Sequence, residues 1–302
     1  MSLFSIMTHV ATLISAPTAP AVTAAMVDAA ARHLGATGRA TLAEGIATDV
    51  FVTIEPGSEK QVGEDLRARL AAPIDVVVQK LADRAKGLLV ADMDSTMIGQ
   101  ECIDELAAEL GLKDHIAAIT ERAMRGEIAF EPALRERVAL LAGLAANIVD
   151  KVIAERIHLT PGAVELVRTM RANGAYTALV SGGFTVFTGP VSRMIGFHEH
   201  RSNLLLEEAG RLTGAVAEPI LGQDAKRAAL LELAAAKKVP MELTLAIGDG
   251  ANDLAMIRES GLGVAYHAKP LVAAEAHARI DHADLTALLY AQGYRRAEFV
   301  YE

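Results

Sequence analysis

The 302-residue sequence has no tryptophan, a single cysteine and few aromatic residues, which make up only 4% of the chain. Because Cys102 has no partner, no intrachain disulfide can form, and this suits a reducing compartment. We expect Cys102 to be a small buried helix residue and not a nucleophile. The scarcity of aromatic rings disfavours a single-strand nucleic-acid binder, because such proteins stack bases on aromatic side chains.

Positive charge is also in short supply, with 29 Lys and Arg against 38 Asp and Glu and a formal net charge of −9. Proteins that bind nucleic-acid phosphates need a basic surface, so nucleic acid is not an expected partner. An anionic substrate would have to be held by a metal ion or by a few well-placed Lys and Arg side chains.

The sequence has no apolar run long enough to span a bilayer, and "MSLFSIMTHV" at its start lacks a basic segment followed by a long apolar one. We therefore expect no secretory signal, no membrane partner and a cytoplasmic location. Hydrophobic residues make up 52% of the chain, which is enough for a sizeable core, and the length suits two domains.

Residues 8–79 show strand and helix signals in the order βαββαβ, which is typical of a ferredoxin-like α+β domain. The pattern includes an Ala-rich helix that ends at Gly35 and two strands around a turn near Gly45. We place this first domain at residues 1–84.

The second predicted domain, residues 85–302, is an α/β unit with a parallel sheet covered on both faces. Its core is expected at residues 85–98 and 158–292. A helical cap at about 99–157 follows the first strand and is placed to act as a lid. Further signals are a helix capped by Thr160 with Pro161 in its first turn, a strand ending at Ser181 and a hairpin turn at Ala209–Gly210.

Acidic residues follow two of the predicted strands. Asp92 and Asp94 end the first strand, in "LLVADMDSTM", and Asp249 and Asp253 follow a later one, in "GDGAND". If the two strands are neighbours, their ends converge, and such a cluster is stable only when a cation neutralises it. Carboxylate oxygens suit Mg²⁺, and Asn252 can tie the loop down beside the site.

The same residues could carry phosphoryl transfer. Asp92 can attack phosphorus, and Asp94 can protonate the leaving alkoxide and later deprotonate water. The phosphoryl oxygens need surrounding donors, which the Ser181 hydroxyl, the Gly182 backbone N–H and the Lys226 ammonium could supply. Each motif alone is weak, because an Asp-x-Asp is often a surface turn, Ser-Gly-Gly a loop and GDGAND a calcium turn or tight connection. Their joint occurrence at strand ends favours an active site.

Four motifs, "DMDST", "SGG", Lys226 and "GDGAND", resemble those of the haloacid dehalogenase superfamily of phosphohydrolases, over about Lys86 to about Tyr290. That resemblance implies a Rossmann-like parallel sheet with a helical cap inserted after the first motif. The stretches "DMDSTMIGQECIDELA" and "AMRGEIAFEPALRERV" are similar to the phosphoserine phosphatase family. The implied activity is Mg²⁺-dependent hydrolysis of O-phospho-L-serine through a phospho-aspartate, the last step of serine biosynthesis.

This resemblance also implies site residues in the cap. Glu101 would contact the substrate ammonium, Arg137 would hold the substrate carboxylate, and Met124 and Phe130 would line the pocket. An amino-acid phosphate needs one acid and one guanidinium, which agrees with this assignment. Without the resemblance, Glu101 would be read as a solvated helix acid and Arg137 as part of a surface ion pair.

The metal ligands implied by the resemblance are the Asp92 and Asp249 side chains and the Asp94 backbone carbonyl. Asp253 is expected close by, acting on the metal indirectly or through water. The predicted cofactor is Mg²⁺.

By its topology alone, the first domain resembles the ACT-like regulatory modules attached to some bacterial members of the family. It could bind an amino acid, mediate a homodimer or serve as a folding appendage. Two other functions remain open for the whole chain: a phosphatase or phosphotransferase for another small phosphoester or alcohol acceptor, and an amino-acid sensor with an inert catalytic half. A dehalogenase is disfavoured, because carbon–halogen cleavage needs no proton donor such as Asp94.

Overall fold

A computed structural model of the chain describes residues 8–125 and 127–301, and the Met124 side chain lies outside that description. Within these ranges, no helix combines the length and the apolar character that crossing a membrane would require. An antiparallel sheet of four strands, a parallel sheet of six and a two-stranded hairpin organise the structure.

The N-terminal module has the predicted βαββαβ order. Its elements are β1 His9–Ser15, α1 Ala24–Leu34, β2 Gly38–Ala43, β3 Ala47–Val52, α2 Glu59–Leu70 and β4 Ile74–Lys80. The sheet order β2-β3-β1-β4 is ferredoxin-like, and its strand pairs are antiparallel. Local chemistry sets the limits of α1, because the Thr23 hydroxyl accepts the Met26 N–H at one end and Gly35, with φ 60°, ends the helix at the other.

The rest of the chain forms the predicted α/β unit around the parallel sheet. Its elements are β5 Leu88–Ala91, α3 Cys102–Ala108, α4 Lys113–Met124, α5 Phe130–Ala139, α6 Ile148–Arg156, α7 Ala163–Ala172, β6 Tyr176–Phe184, α8 Thr185–Ile195, β7 Glu199–Asn203, β8 Leu205–Glu208, β9 Arg211–Val216, α9 Gln223–Lys237, β10 Thr244–Gly248, α10 Leu254–Glu259, β11 Leu262–Tyr266, α11 Pro270–Glu275, β12 Ala278–Ile280 and α12 Ala287–Ala291. The strand order is β12-β11-β10-β5-β6-β7.

Strand β5 lies at the centre of this sheet, between β10 and β6. Ala91 pairs with Ile247 of β10 and with Leu179 of β6, so the carboxyl ends of the three strands lie at one edge. Every residue of β5 and β10 is buried, as expected for a parallel sheet covered on both faces. This register is what brings together the polar residues that follow the strands.

The helical cap consists of α3–α6, inserted after β5 as predicted. The hairpin β8–β9 turns at Ala209 and Gly210, also as predicted, and both have positive φ. Backbone hydrogen bonds join the cap to this hairpin: the Gly143 N–H donates to the Leu212 carbonyl at 2.8 Å. The hairpin therefore supports one side of the cap.

Two predicted boundaries were wrong. Helix α7 does not begin at Thr160 and Pro161, because Gly162 has φ 84° and helical geometry starts only after it. A Cβ on Gly162 would lie 2.6 Å from the backbone nitrogen of Thr286, so close packing requires glycine there. Strand β6 continues beyond Ser181 to Phe184, because pairing with β7 resumes there after a register shift.

One face of the N-terminal sheet packs against the α/β unit. Residues on that face, including Ile14 and Val77, share a hydrophobic cluster with Leu288 and Leu289 of α12. The buried Asp75 carboxylate accepts the backbone N–H groups of residues 281, 282 and 283 at 2.8–3.2 Å. The ACT-like resemblance and the division near residue 84 stay predictions.

Replacing Asp75 by Ala should lower the free energy of unfolding by about 3 kcal/mol, because it leaves three backbone N–H groups and the Arg67 guanidinium without their buried acceptor. Urea unfolding followed by circular dichroism measures this. Asp28→Ala is the matched control, since Asp28 pairs with Arg39 at the surface and its loss should change stability by less than about 0.5 kcal/mol. Equal effects of the two substitutions would contradict the buried role of Asp75.

Candidate active site

A cavity of about 260 Å³ lies between the carboxyl ends of the central strands and the cap. The core contributes Asp92, Asp94, Ser181, Gly182, Gly183, Phe184, Gln223, Asp249, Ala251 and Asn252 to its wall, and the cap side contributes Glu101, Ile103, Thr120, Ala123, Ile128, Ala129, Phe130, Leu134 and Arg137. Polar groups from both halves of the α/β unit therefore face one small space. This is the arrangement expected of a ligand site at strand ends.

The Lys226 ammonium lies behind the cavity wall and is fully buried. Its Nζ lies 2.7 Å from Asp92 Oδ1 and 2.6 Å from Asp253 Oδ1. Burial lowers the pKa of Lys226, but the Asp253 and Asp92 carboxylates outweigh that effect and hold it above its ordinary value. One buried cation thus neutralises part of a three-carboxylate cluster.

The carboxylates of Asp92, Asp249 and Asp253 each place an oxygen within 4.8 Å of the others. Burial, with the Asp253 and Asp92 charges, holds the pKa of Asp249 well above its usual range. Burial, with the Asp92 charge, raises the pKa of Asp253 to about 7. Among the described residues Asp249 has no ion-pair partner, so the cluster carries an acidic group that a cation could neutralise.

Asp253 is fixed by the protein itself. Its Oδ1 accepts from Lys226, and its Oδ2 accepts the Gly250 N–H at 3.1 Å. A Cβ on Gly248 would lie 2.3 Å from Asp253 Cγ, so the glycine makes room for this carboxylate. Because both Asp253 oxygens have protein partners, the residue suits the predicted indirect role beside a metal, which stays a prediction.

Asp94 lies at the cavity wall two residues after Asp92. Its Oδ1 accepts the Cys102 N–H at 3.1 Å, at the start of α3. Burial, reinforced by the Asp92 charge, raises the pKa of Asp94 to about 6, although the hydrogen bonds from Cys102 oppose this shift. A carboxyl group with this pKa can both release and accept a proton near neutral pH. Cys102 is buried, as predicted.

The last residues of β6, from Ser181 to Phe184, close one side of the cavity. Ser181 Oγ accepts the Gly183 N–H at 2.9 Å. A Cβ on Gly182 would lie 2.7 Å from the Phe130 ring, and one on Gly183 would lie 2.9 Å from Asp94 Oδ2. The two glycines therefore let the Phe130 ring from the cap and the Asp94 carboxyl approach the backbone closely.

The cap contributes an acid and a guanidinium that are both enclosed. Glu101 Oε1 accepts the Ser95 hydroxyl at 2.6 Å, and burial, with the Asp94 and Asp249 charges, holds the pKa of Glu101 well above its usual range. Arg137 is only 6% exposed, and within residues 8–125 and 127–301 no carboxylate forms an ion pair with it. Both groups line the cavity, so it offers one carboxyl and one guanidinium contact.

Most of the predicted site residues meet at this cavity. Asp92, Asp94, Glu101, Phe130, Arg137, Ser181, Gly182, Asp249 and Asn252 all line it. Lys226 and Asp253 lie behind them, and the predicted Met124 contact lies outside the described residues. Thr120 and Gln223 also line the cavity but were not predicted. Neither residue belongs to one of the four sequence motifs. The one sequence feature that could have indicated Thr120 as a site residue is its place in a predicted helix of the cap.

Comparisons with known proteins identify the family of the chain. The haloacid dehalogenase-like hydrolase family profile matches residues 89–258. The chain belongs to this family, as predicted.

Within the family, many of the similar proteins are phosphoserine phosphatases. One, from Streptomyces coelicolor, is 46% identical over 231 residues, which are 76% of this chain and 56% of the relative. One from Streptococcus thermophilus is 46% identical over 66% of this chain and 93% of the relative. The structure of a phospho-aspartyl intermediate analogue of a phosphoserine phosphatase has a TM-score of 0.65 and 37% identity, covering 68% of this chain and 98% of that chain. The chain thus spans little more than half the length of the Streptomyces relative.

Replacing Lys226 by Met should destabilise the metal-free protein by about 3 kcal/mol at pH 8, because two buried carboxylates lose their cation. Without Lys226 the folded-state pKa of Asp253, already raised to about 7, rises further above its unfolded value. The folded variant then keeps a proton that the unfolded chain has released, so stability is lost as the pH rises through the raised pKa of Asp253, and the defect should be smaller at pH 5. Urea unfolding in EDTA at both pH values measures it.

Lys151→Met provides the control, since Lys151 pairs with Glu109 at the surface. It should show little change in stability at either pH. A Lys226→Met defect that is equal at pH 5 and pH 8 would contradict the role of Lys226 as the counter-ion.

Proposed function

We propose that this chain hydrolyses O-phospho-L-serine to L-serine and phosphate through a phospho-Asp92 intermediate, in the last step of serine biosynthesis. The observation that carries the proposal is the charge pattern of the cavity. Glu101 and Arg137 are enclosed there without oppositely charged partners among the described residues, beside an acidic cluster at the strand ends. A zwitterionic amino acid bearing a phosphate supplies an ammonium for Glu101 and a carboxylate for Arg137.

The reaction would take place in two steps. A carboxylate oxygen of Asp92 attacks phosphorus, the bond from phosphorus to the serine oxygen breaks, and Asp94 gives its proton to that oxygen. Asp94 then takes a proton from water, which attacks phosphorus and releases phosphate from Asp92. The raised pKa of Asp94, about 6, supports this double role.

The phosphoryl group would be held at the core side of the cavity. Ser181, the Gly182 backbone N–H and Asn252 line that side and can donate to its oxygens. Lys226 would act from behind Asp92, because its Nζ already bonds to that carboxylate. Phe130 covers Gly182 and would exclude water from the closed site.

Mg²⁺ is the proposed cofactor. The donors are hard oxygens, and the buried Asp249 carboxylate has no counter-ion in the described part of the chain, which fits a divalent cation. The Asp92 and Asp249 side chains and the Asp94 backbone carbonyl would hold the ion, with Asp253 close by. When bound, it would neutralise the developing charge on the phosphoryl oxygens.

Asp92→Asn should abolish phosphate release from phosphoserine while leaving the fold intact, because the neutral amide is too weak a nucleophile for phosphorus. Phosphate release from a panel of small phosphoesters, with and without Mg²⁺, measures both activity and preference. Asp83→Asn, a substitution of an aspartate outside the cavity, is the control and should leave turnover unchanged. Turnover retained by Asp92→Asn would overturn the assignment of the nucleophile, and equal activity on esters lacking the amino and carboxyl groups would overturn the substrate.

Magnesium should raise the melting temperature of the wild-type protein, because it neutralises the carboxylate cluster in the folded state alone. The increase should be several degrees at millimolar Mg²⁺ relative to EDTA, and it should shrink strongly in Asp249→Asn. Differential scanning fluorimetry measures both proteins. Equal shifts in the two would place the metal away from Asp249.

A further inference from the structure

We propose that Thr120 and Asp104 are positioning residues that fix the Arg137 guanidinium and thereby set the preference for a substrate that carries a carboxylate. The proposal rests on the proposed function and extends it, since neither residue belongs to the four sequence motifs. Both lie on cap helices, Asp104 in α3 and Thr120 in α4, whereas Arg137 lies in α5.

A chain of hydrogen bonds connects the three side chains. Arg137 Nη1–H donates to Thr120 Oγ1 at 2.9 Å. Thr120 Oγ1 lies 3.1 Å from Asp104 Oδ1 and 3.1 Å from the Ile116 carbonyl oxygen, and its single hydrogen can serve one of them. The charged carboxylate is the stronger acceptor, and donation to it makes Thr120 Oγ1 a better acceptor for Arg137.

The chain is shielded from water and fixes the direction of the guanidinium. Asp104, Thr120 and Arg137 are 9%, 3% and 6% exposed. Arg137 Nε–H donates to the Ala133 carbonyl at 3.0 Å, so Arg137 is held at two of its nitrogens. The remaining N–H groups are left to bind a planar carboxylate, which a guanidinium recognises through two parallel hydrogen bonds.

Asp104 also places a negative charge near the Arg137 guanidinium without forming a direct ion pair with it. Burial lowers the pKa of Arg137, and the nearby Glu101 and Asp104 carboxylates oppose that shift. Because Thr120 lies between Asp104 and Arg137, Asp104 stabilises Arg137 and still leaves room for the substrate carboxylate. A direct ion pair would compete with the substrate for the same donors.

Steady-state kinetics of Thr120→Val on two esters test the proposal. O-phosphoserine carries the carboxylate, whereas O-phosphoethanolamine keeps the ammonium and phosphate but lacks it. Thr120→Val is nearly isosteric and removes the hydroxyl, so KM for phosphoserine should rise about tenfold with kcat changed less than about twofold. The kinetic constants for phosphoethanolamine should stay within about twofold of wild type.

Three further variants distinguish a positioning role from a general loss of structure. Thr120→Ser restores the hydroxyl and should restore KM for phosphoserine to within about twofold. Thr169→Val removes an equally buried threonine hydroxyl, which accepts from the Val300 N–H far along the chain, and should leave both esters unaffected. Asp104→Asn keeps an acceptor but removes the charge, so KM for phosphoserine should rise here too.

The outcomes that overturn the proposal are distinct from those that overturn the proposed function. Equal losses on both esters in Thr120→Val, no loss on phosphoserine, or no rescue by serine would each reject the positioning role alone. A wild-type protein that releases no phosphate from phosphoserine, or that prefers phosphoethanolamine, would reject the proposed function itself.

Discussion

The buried contact of the Lys226 ammonium with Asp92 and Asp253 is the interaction on which the site depends. Three carboxylates lie within 4.8 Å of one another at the sheet edge, and keeping them ionised there costs free energy unless positive charge lies beside them. Lys226 bonds to two of them at 2.6–2.7 Å and leaves Asp249 without an ion pair in the described ranges. The positive charge of Lys226 therefore compensates only part of the carboxylate charge, and a bound cation could compensate the rest. Burial, together with the carboxylate charges that remain nearby, raises the pKa values of Asp94, Asp249 and Asp253.

Recognition is divided between the two halves of the α/β unit. The strand ends provide the groups suited to a phosphoryl group, and their positions follow from the register of β10, β5 and β6. The cap provides Glu101 and Arg137, which are suited to the two charges of an amino acid. Phe130 meets Gly182 across the cavity, and Lys269 of the core pairs with Glu121 of the cap at 3.0 Å. Because each half holds part of the site, the position of the cap determines whether the site is complete.

The parts of the structure that the sequence predicted well are those with local causes. Alternating strand and helix signals implied the parallel sheet, and Asp92, Ser181 and Asp249 were placed at one edge because parallel strands share a direction. The burial of Lys226 behind Asp92 had no local signal, since an isolated lysine in a helix is usually solvated. Thr120 was missed for the same reason, because its importance arises from α3, α4 and α5 packing together. The capping role assigned to Thr160 failed because a tertiary contact of Gly162 with Thr286 set the helix start instead.

The docked N-terminal module restricts how copies of this chain could associate. One face of its sheet is covered by α1 and α2, and the other packs against α12 of the α/β unit. Strand β4 lies beside β12, and the Arg84 guanidinium bonds both to Asp49 and to the Ala291 carbonyl, which fixes the module from the inside. The outer surface of α1 and α2 and the edge of β2 stay available to a homodimer formed through this module. A ligand held there would act on the cavity through the docked surface, whose contacts are buried and hydrogen-bonded.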